Sequence, residues 1–297
     1  MMDQGYEAIC RAAMADPGHR GLSSHADRLP DIAALAAKLC GVKRAVLISG
    51  FPVRTATGVV GETDGPSGIT WLAGALNRLG AQVRIYTGQC CYDQIEAARA
   101  FASPQSQLCL LPHRGGRDYA RRELVAFAPD CLITLERPGR SADGTYYNMN
   151  ACSISDLVAD AEPLFREAEE MGIPTIAVGD GGNEMGMGRC RELVERYVPH
   201  GQKICARQDA DYTLMGGVSN WWGWGLVASM SLSAGRDLLP TCEEETELLR
   251  RIVEAGSADG NTARHEMTVD NMPLALHLEV LEHMRKAVQN SLRDTAV

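Results

Sequence analysis

The sequence lacks the features that mark membrane, exported and repetitive proteins. No apolar run approaches the roughly 20 residues that a membrane-spanning helix needs. The N-terminus, Met1-Met2-Asp3-Gln4-Gly5, has neither the basic flank and apolar stretch of a secretory signal nor the Arg-rich pattern of a transit peptide. Repeats and low-complexity segments are also missing. These absences predict a cytoplasmic globular protein.

Motifs for zinc and nucleotides are missing as well. The 10 cysteines include no C-x-x-C pair and the 7 histidines no H-E-x-x-H motif, so we expect no zinc site and reduced thiols. No G-x-x-x-x-G-K-[ST] loop is present, and we expect no nucleotide cofactor.

Positive charge is scarce. Lys and Arg number 29 against 38 Asp and Glu, which gives a formal net charge of -9. A nucleic-acid surface needs clustered Lys and Arg, and this chain does not gather them. We therefore expect a small-molecule substrate as the partner, with neither nucleic acid nor a membrane. The sequence leaves open whether the chain forms a homo-oligomer.

The remaining pattern is an alternation of strands and helices. With 297 residues, of which 45% are hydrophobic, the chain is long enough for one large α/β domain. We expect a single domain over residues 1–297, with a helical segment at 1–42 packed on it. The predicted strands are 45–49, 83–87, 108–111, 131–135, 173–178 and 211–215. The predicted helices are 3–15, 32–39, 67–79, 92–101, 119–127, 155–171, 184–197, one after Asn220, 243–255 and 272–288. This order predicts a mostly parallel, doubly wound sheet with helices on both faces.

The most informative stretch runs from Ile173 to Gly188. Residues 173–178 are apolar and β-branched, and are too few for a buried helix, so we interpret them as a central parallel strand. The following loop, 179–188, combines five glycines with Asp180, Asn183 and Glu184. Glycines let the backbone fold closely around a ligand, and the acids supply oxygens for a cation or an ammonium group.

Polar loops follow four of the predicted strands, after Ser49, Leu135, Val178 and Met215. In sheets of this kind, ligands bind beyond the carboxyl ends of the strands. Four loops that converge on one edge therefore predict a ligand site there. The helix at 67–79 adds free backbone N–H groups that could bind an anion, with Ser67 or Asp64 as its cap. The cluster Trp221, Trp222 and Trp224 is typical of core packing.

Six motifs in these loops resemble the D-glutamate cyclase family. They are Gly50-Phe51-Pro52, Glu62 to Gly68, Glu136-Arg137-Pro138-Gly139, Tyr146-Tyr147-Asn148-Met149, Gly179 to Gly188, and Gly217-Val218-Ser219-Asn220-Trp221. The resemblance extends from Arg20-Gly21 to about Val269-Asp270. It implies a hydro-lyase that converts D-glutamate to 5-oxo-D-proline by attack of the α-amine on the γ-carboxyl group, with loss of water.

That reaction needs a base, a polarised carboxyl group and a bent substrate. Arg137 is the expected clamp for the α-carboxylate, and Ser67, Ser219 and Asn220 are expected to stabilise the oxyanion. A divalent cation, Mg²⁺ or Mn²⁺, could act as a Lewis acid. The residues assigned to catalysis are Glu62, Asp64, Asp180, Asn183 and Glu184; those assigned to substrate binding are Ser67, Glu136, Arg137, Tyr147, Asn148, Ser219 and Asn220; those assigned to the metal are Asp180 and Glu184.

Several alternatives stay open. The acids could hold the substrate ammonium group directly instead of a metal. The enzyme could be a metal-dependent lyase or hydrolase that acts on another amino-dicarboxylate or a lactam. A non-catalytic protein could bind an acidic metabolite through the same loops. For individual residues the alternatives are structural: Asp64 and Ser67 as helix caps, Arg137 as an ion-pair partner, and Asn220 as a turn residue.

Overall fold

A computed structural model describes residues 4–22, 25–112 and 115–295. The strands in these ranges are β1 (Arg44–Ser49), β2 (Pro52–Thr55), β3 (Gly58–Gly61), β4 (Gln82–Thr87), β5 (Gln107–Leu110), β6 (Cys131–Leu135), β7 (Thr175–Gly179), β8 (Tyr212–Met215), β9 (Thr268–Val269) and β10 (Met272–Pro273). The helices are α1 (Gln4–Ala13), α2 (Ile32–Gly41), α3 (Pro66–Arg78), α4 (Tyr92–Ala102), α5 (Arg117–Phe127), α6 (Glu162–Glu170), α7 (Arg191–Tyr197), α8 (Gly201–Ile204), α9 (Ser219–Ala234), α10 (Cys242–Glu254) and α11 (Leu274–Thr295).

The centre is a six-stranded sheet with the order β5-β4-β1-β6-β7-β8. All of its neighbouring strands pair in parallel. The chain winds outward from β1 in one direction and, from β6, in the other. The predicted doubly wound α/β fold is confirmed. In such a sheet the crevice between β1 and β6, where the strand order reverses, is the usual place for a ligand.

Alternate residues of the central strands point to opposite faces, as the pleat of a strand requires. Ala45 and Leu47 of β1 belong to a large core that also contains buried residues of α1 to α4 and α9 to α11. Val46 and Ile48 belong to a second core with α5 and α6. Both faces of the sheet are thus covered, which explains why the strands have nearly continuous apolar sequences.

Helix α9 lies at the middle of the larger core. Trp221, Trp222 and Trp224 are fully buried, which confirms their prediction as core residues. Each indole N–H has an acceptor: His277 Nδ1 at 2.9 Å, the Met215 carbonyl at 2.8 Å, and Ser67 Oγ at 3.0 Å, respectively. Because buried polar groups are costly when they are unpaired, these bonds let three indoles pack in one helix.

Two predicted helices are shorter in the structure, and a hairpin was missed. Helix α6 begins at Glu162 rather than at residue 155, because Asp160 Oδ1 accepts the Glu162 N–H at 2.9 Å and Pro163 occupies the first turn. Residues 184–190 form no α-helix, since the Glu184 side chain bonds to the loop before it. The segment 52–61, predicted as loop, forms the β2–β3 hairpin.

The described cysteines, which include all 10 in the chain, are free thiols. Within the described ranges, none of the helices combines the length and the apolar composition needed to cross a bilayer.

The crossing of α3 and α9 depends on two glycines. A Cβ atom on Gly223 would lie 2.3 Å from the Gly68 Cα atom, which is backbone and cannot swing away. We expect Gly223→Ala to destabilise the fold by about 1–3 kcal/mol through overpacking. A urea titration followed by circular dichroism would measure it. Gly41→Ala is the matched control, because nothing lies within 4 Å of its added Cβ. An equal stability of both variants would contradict this account of the crossing.

A buried acid, Glu245, joins α10 to α3. Its Oε2 atom accepts hydrogen bonds from Ser67 Oγ and Trp71 Nε1, both at 2.7 Å. Burial raises the pKa of Glu245 from 4.5 to about 8, although these two bonds act against the shift. A carboxyl group with a raised folded-state pKa contributes stability below its unfolded pKa, and that contribution is lost as the pH rises through the folded pKa.

We therefore expect Glu245→Gln to change the pH dependence of stability. The native protein should lose on the order of 1 kcal/mol per pH unit from this group between about pH 5 and 8, whereas the neutral amide should not. The variant should gain stability relative to the native chain as the pH rises. Urea midpoints at pH 5.5, 7 and 8.5 would test this, and a constant difference between the two proteins would refute it.

Candidate active site

A cavity of about 270 Å³ opens at the carboxyl edge of the sheet. Part of its lining comes from the loops that follow β1, β6 and β7, which meet at the reversal of strand order. The rest comes from Arg20, near the N-terminus, and from residues 260–270, between α10 and α11. The predicted position of the ligand site thus coincides with a cavity.

Carboxylates dominate the polar lining. Those that line the cavity are Glu62, Glu136, Asp180, Glu184 and Asp270. Asp64 lies beside them, because ligand oxygens of Asp64, Glu136 and Asp180 fall within 4.8 Å of one another. We call these three residues the acid triad. All three are buried.

Burial and mutual repulsion change the protonation of this group. Burial, followed by the negative charge of Asp270, raises the pKa of Asp64 to about 7, although Asn220 and Ser219 donate N–H groups to it. Burial and the neighbouring acids Asp180, Glu184 and Glu62 hold the pKa of Glu136 well above its usual range. Burial likewise raises the pKa values of Glu62 and Asp180. The cavity therefore contains groups that can give as well as accept protons near neutral pH.

The acid triad fits a hard divalent cation. Its donors are carboxylate oxygens, which Mg²⁺ and Mn²⁺ prefer. Asp180 Oδ2 is buried and has no hydrogen-bond partner among the described residues. A buried carboxylate oxygen without a partner is costly, and an ion would satisfy it.

Glu184, predicted as a metal ligand together with Asp180, is outside this triad. Its oxygens accept N–H groups of its own loop, from Asp180 at 3.3 Å, Gly181 at 2.8 Å and Gly182 at 2.7 Å. Gly182 has φ +85°, a conformation that glycine adopts without strain. Glu184 lines the cavity, but its carboxylate oxygens accept backbone N–H groups of its own loop. The carboxylates that are placed to share a cation are therefore those of Asp64, Glu136 and Asp180.

Asp64 and Asn220 cap each other's helices. Asp64 accepts the backbone N–H groups of Ser219 and Asn220, at 2.9 and 2.8 Å, at the start of α9. Asn220 Oδ1 accepts those of Gly65 and Gly68, at 3.0 and 2.7 Å, at the start of α3. Asn220 was predicted to stabilise an oxyanion, but its donor group, Nδ2, donates to the Thr63 carbonyl at 3.2 Å. This reciprocal cap fixes the distance between the two loops that follow β1 and β8.

Glu136 is held in a strained backbone conformation directly after β6. Its φ is +44°, in the left-handed region that residues other than glycine seldom adopt. Ser219 Oγ donates a 2.6 Å hydrogen bond to its Oε2 atom. Ser219, predicted as an oxyanion donor, thus positions an acid. Strain of this kind costs about 1–3 kcal/mol and is concentrated at functional sites.

Arg137 does not lie in the cavity, contrary to its predicted role as a clamp for a carboxylate. It is 1% exposed, and its guanidinium donates to the carbonyls of Gly50, at 3.1 Å, and Ala159. Burial lowers its pKa. The side chain therefore ties the β1 loop to the segment before α6, and it is not part of the cavity lining.

Four further predicted residues differ in their relation to the cavity. Asn148 and Asn183 line it, and Asn183 Nδ2 donates to the Tyr147 carbonyl at 2.8 Å. The Tyr147 hydroxyl bonds to Asp143 at 2.7 Å. Ser67 is bound to Glu245 and Trp224. Tyr147 and Ser67 thus act in the structure as links within the protein.

Arg20 and Asp270 were not predicted. Arg20 Nη1 contacts Asp180, and Arg20 Nη2 lies 2.7 Å from Asp270 Oδ1. Neither residue follows a strand of the main sheet, so the rule that locates ligands at strand ends does not indicate them. The signal that could have found both residues is their position at the two ends of the family resemblance, Arg20-Gly21 and Val269-Asp270.

Comparison with known proteins identifies the family of the chain. A family model described as D-glutamate cyclase-like, C-terminal, matches residues 9–285. The human protein named D-glutamate cyclase, mitochondrial, is 32% identical over 260 residues, and the match covers 84% of this chain and 41% of the human protein. The chain thus spans less than half the length of that relative.

Likeness to solved structures is weak. A short-chain dehydrogenase/reductase from Serratia marcescens aligns with a TM-score of 0.30 and 15% identity, covering 47% of this chain and 56% of that one. The tRNA N6-threonylcarbamoyladenosine dehydratase of E. coli aligns with a TM-score of 0.31 and 12% identity, covering 70% of this chain and 96% of that one.

The reciprocal cap can be tested through Asn220. We expect Asn220→Ala to destabilise the fold by about 1–2 kcal/mol, because two buried N–H groups lose their acceptor. Asp31→Ala is the control, since Asp31 caps α2 at an exposed position away from the cavity. Both variants should have a lower urea midpoint than the native chain, but only Asn220→Ala should also have a lower enzymatic activity. Equal turnover in both would show that the cap is not coupled to the site.

Proposed function

The chain belongs to the D-glutamate cyclase-like family, and we propose that it cyclises D-glutamate to 5-oxo-D-proline with loss of water. The observation that carries this proposal is the lining of the cavity: five carboxylates and a largely buried guanidinium around about 270 Å³. A small amino-dicarboxylate matches such a space, since its ammonium group suits the acids and its carboxylates suit the guanidinium and a cation.

The reaction requires the α-ammonium to lose a proton before its nitrogen attacks the γ-carboxyl carbon. A cavity carboxylate in its ionised form accepts that proton. The nitrogen loses a second proton as the amide forms, and the expelled oxygen takes up two protons in all to leave as water. An acid with a raised pKa passes protons to that oxygen and is reprotonated by those released from the nitrogen. Burial raises the pKa values of Glu62 and Glu136 above those of free carboxyl groups. Protonated and ionised carboxyl groups can therefore coexist in one cavity, which allows it to provide both the acid and the base.

The enclosed shape contributes as well. A free glutamate is flexible and rarely brings its two ends together. When the cavity binds glutamate in a bent conformation, the entropy of bringing its two ends together is lost on binding rather than in the reaction. This can lower the activation barrier by roughly 7–11 kcal/mol in favourable cases. Mg²⁺ or Mn²⁺ held by Asp64, Glu136 and Asp180 would supply Lewis acidity toward the γ-carboxyl group.

The test is a chiral chromatographic assay of the purified chain with D- and L-glutamate. We expect 5-oxo-D-proline from the D-isomer alone, loss of turnover in EDTA, and recovery with Mg²⁺ or Mn²⁺. Asp180→Asn should reduce kcat/KM by about 100-fold or more, because it removes a ligand of the acid triad. The control Asp156→Asn changes an exposed aspartate that pairs with Arg54 and should retain turnover within about twofold.

Each other outcome is informative. Absence of product with every metal would refute D-glutamate as the substrate. Saturable binding of D-glutamate without product would favour the alternative of an acidic-metabolite binding protein. Product formation that is unaffected by EDTA would show that the acids act without a metal.

A further inference from the structure

Arg20 and Asp270 lie at one end of the cavity and come from opposite ends of the chain. We propose that this pair recognises the α-amino acid head group of the substrate, with Arg20 binding the α-carboxylate and Asp270 binding the α-ammonium group. The inference rests on the proposed function, since it assigns the two ends of the amino-dicarboxylate to places in that site.

The backbone around Arg20 is fixed before any ligand binds. Asp16 accepts the N–H of Arg20 at 2.9 Å through Oδ1 and that of Gly21 at 2.8 Å through Oδ2. The Arg20 side chain is 14% exposed, and its two terminal nitrogens contact Asp180 and Asp270. A guanidinium has five N–H donors in a planar fork, so two such contacts leave donors for a carboxylate.

Asp270 offers the complementary group. Its side chain is 7% exposed. One oxygen, Oδ1, lies 2.7 Å from Arg20 Nη2, whereas Oδ2 is buried and has no hydrogen-bond partner among the described residues. A buried carboxylate oxygen at a cavity wall calls for a donor from the ligand. An ammonium group supplies up to three.

The segment that carries Asp270 is built to hold it there. Asp270 has φ +54° and Asn271 has φ +61°, both in the left-handed region. Asp259, which is fully buried, accepts the Asn271 N–H at 2.7 Å and the Thr268 hydroxyl at 2.8 Å. The segment is also bonded to the β3 end, through Thr63 N–H and the Ala258 carbonyl at 3.0 Å. The structure thus maintains a strained position whose side chain has an unsatisfied oxygen.

Arg54, the other arginine among the described cavity residues, does not suit this role. Its side chain is 56% exposed and bonds to Asp156 at 2.6 Å. Arg20, in contrast, contacts Asp180 of the acid triad. A head group held by Arg20 and Asp270 therefore lies beside the triad, which is where the γ-carboxyl of a bent substrate must meet the amine.

Truncated ligands separate the two contacts. Glutarate lacks the amine, and 4-aminobutyrate lacks the α-carboxylate. We expect Arg20→Gln to weaken calorimetric binding of D-glutamate and glutarate by about 10- to 100-fold, and to leave 4-aminobutyrate unchanged. Asp270→Asn should weaken D-glutamate and 4-aminobutyrate by a similar factor and leave glutarate unchanged. Arg54→Gln is the control and should change none of the three by more than about twofold.

Arg20→Gln leaves Asp180 and Asp270 without their cation and could impair folding. Arg20→Lys keeps the positive charge but loses the planar fork, so it should fold and still bind D-glutamate and glutarate about 10-fold more weakly. Thermal unfolding of each variant would establish that the fold is retained.

The outcomes distinguish the two proposals. If the native chain cyclises D-glutamate and the variants weaken all three ligands equally, the head-group assignment is overturned and the proposed function stands. If D-glutamate binds without product and the crossed pattern holds, the proposed function fails and the assignment stands. If the native chain binds none of the three, both fail.

Discussion

Repulsion among buried carboxylates is the constraint on which the site depends. Six acids, Glu62, Asp64, Glu136, Asp180, Glu184 and Asp270, lie in or beside one cavity, and charges buried without compensation are expensive. The protein compensates each in a different way. Glu184 takes backbone N–H groups of its loop, Asp64 takes those at the start of α9, and Arg20 neutralises Asp180 and Asp270. The pKa values of Glu62 and Glu136 are raised, which favours the protonated form of these two acids. The oxygens that stay unsatisfied are the ones a ligand would use.

The same constraint explains features of the fold that are remote from the cavity. The reciprocal cap of Asp64 and Asn220 requires α3 and α9 to begin side by side. Helices that start so close must also cross closely, and Gly68 and Gly223 allow their backbones to touch. Helix α9 is then surrounded on all sides, which suits its three tryptophans and their satisfied indoles. The start of α9 is therefore constrained twice: by the reciprocal cap, which places Asp64, and by the close crossing with α3, which packs the larger core.

Sequence patterns predicted the fold well because hydrophobic periodicity reports burial directly. All six strands of the main sheet were predicted within a few residues, and the motifs indicated the family that the comparisons confirm. Helix starts were less certain, since a side chain such as Glu184 or Asp160 can bond the backbone in place of a helical turn. Motifs identified residues near the cavity but not which atoms were already occupied. Arg137, Ser67 and Asn220 are all buried by the site, yet each is committed to other protein groups. Arg20 and Asp270 contact each other across 250 positions of the sequence, and no local hydrophobic or strand-end pattern encodes such a contact.

A site of this kind is unfavourable for the stability of the unliganded protein, and that cost is informative. Glu136 and Asp270 hold strained backbone conformations, and Asp180 and Asp270 each keep a buried oxygen without a partner among the described residues. Residues that served only to hold the fold together could be replaced by apolar groups of similar size with little loss or even a gain. Left-handed residues and unpartnered buried atoms also occur elsewhere, as at Ala128 and Gln208. Among the described residues, however, the buried carboxylate oxygens without a partner both belong to residues that line the cavity, where a bound ligand would stabilise them. The positions of these two oxygens therefore support the cavity as the candidate site independently of any resemblance.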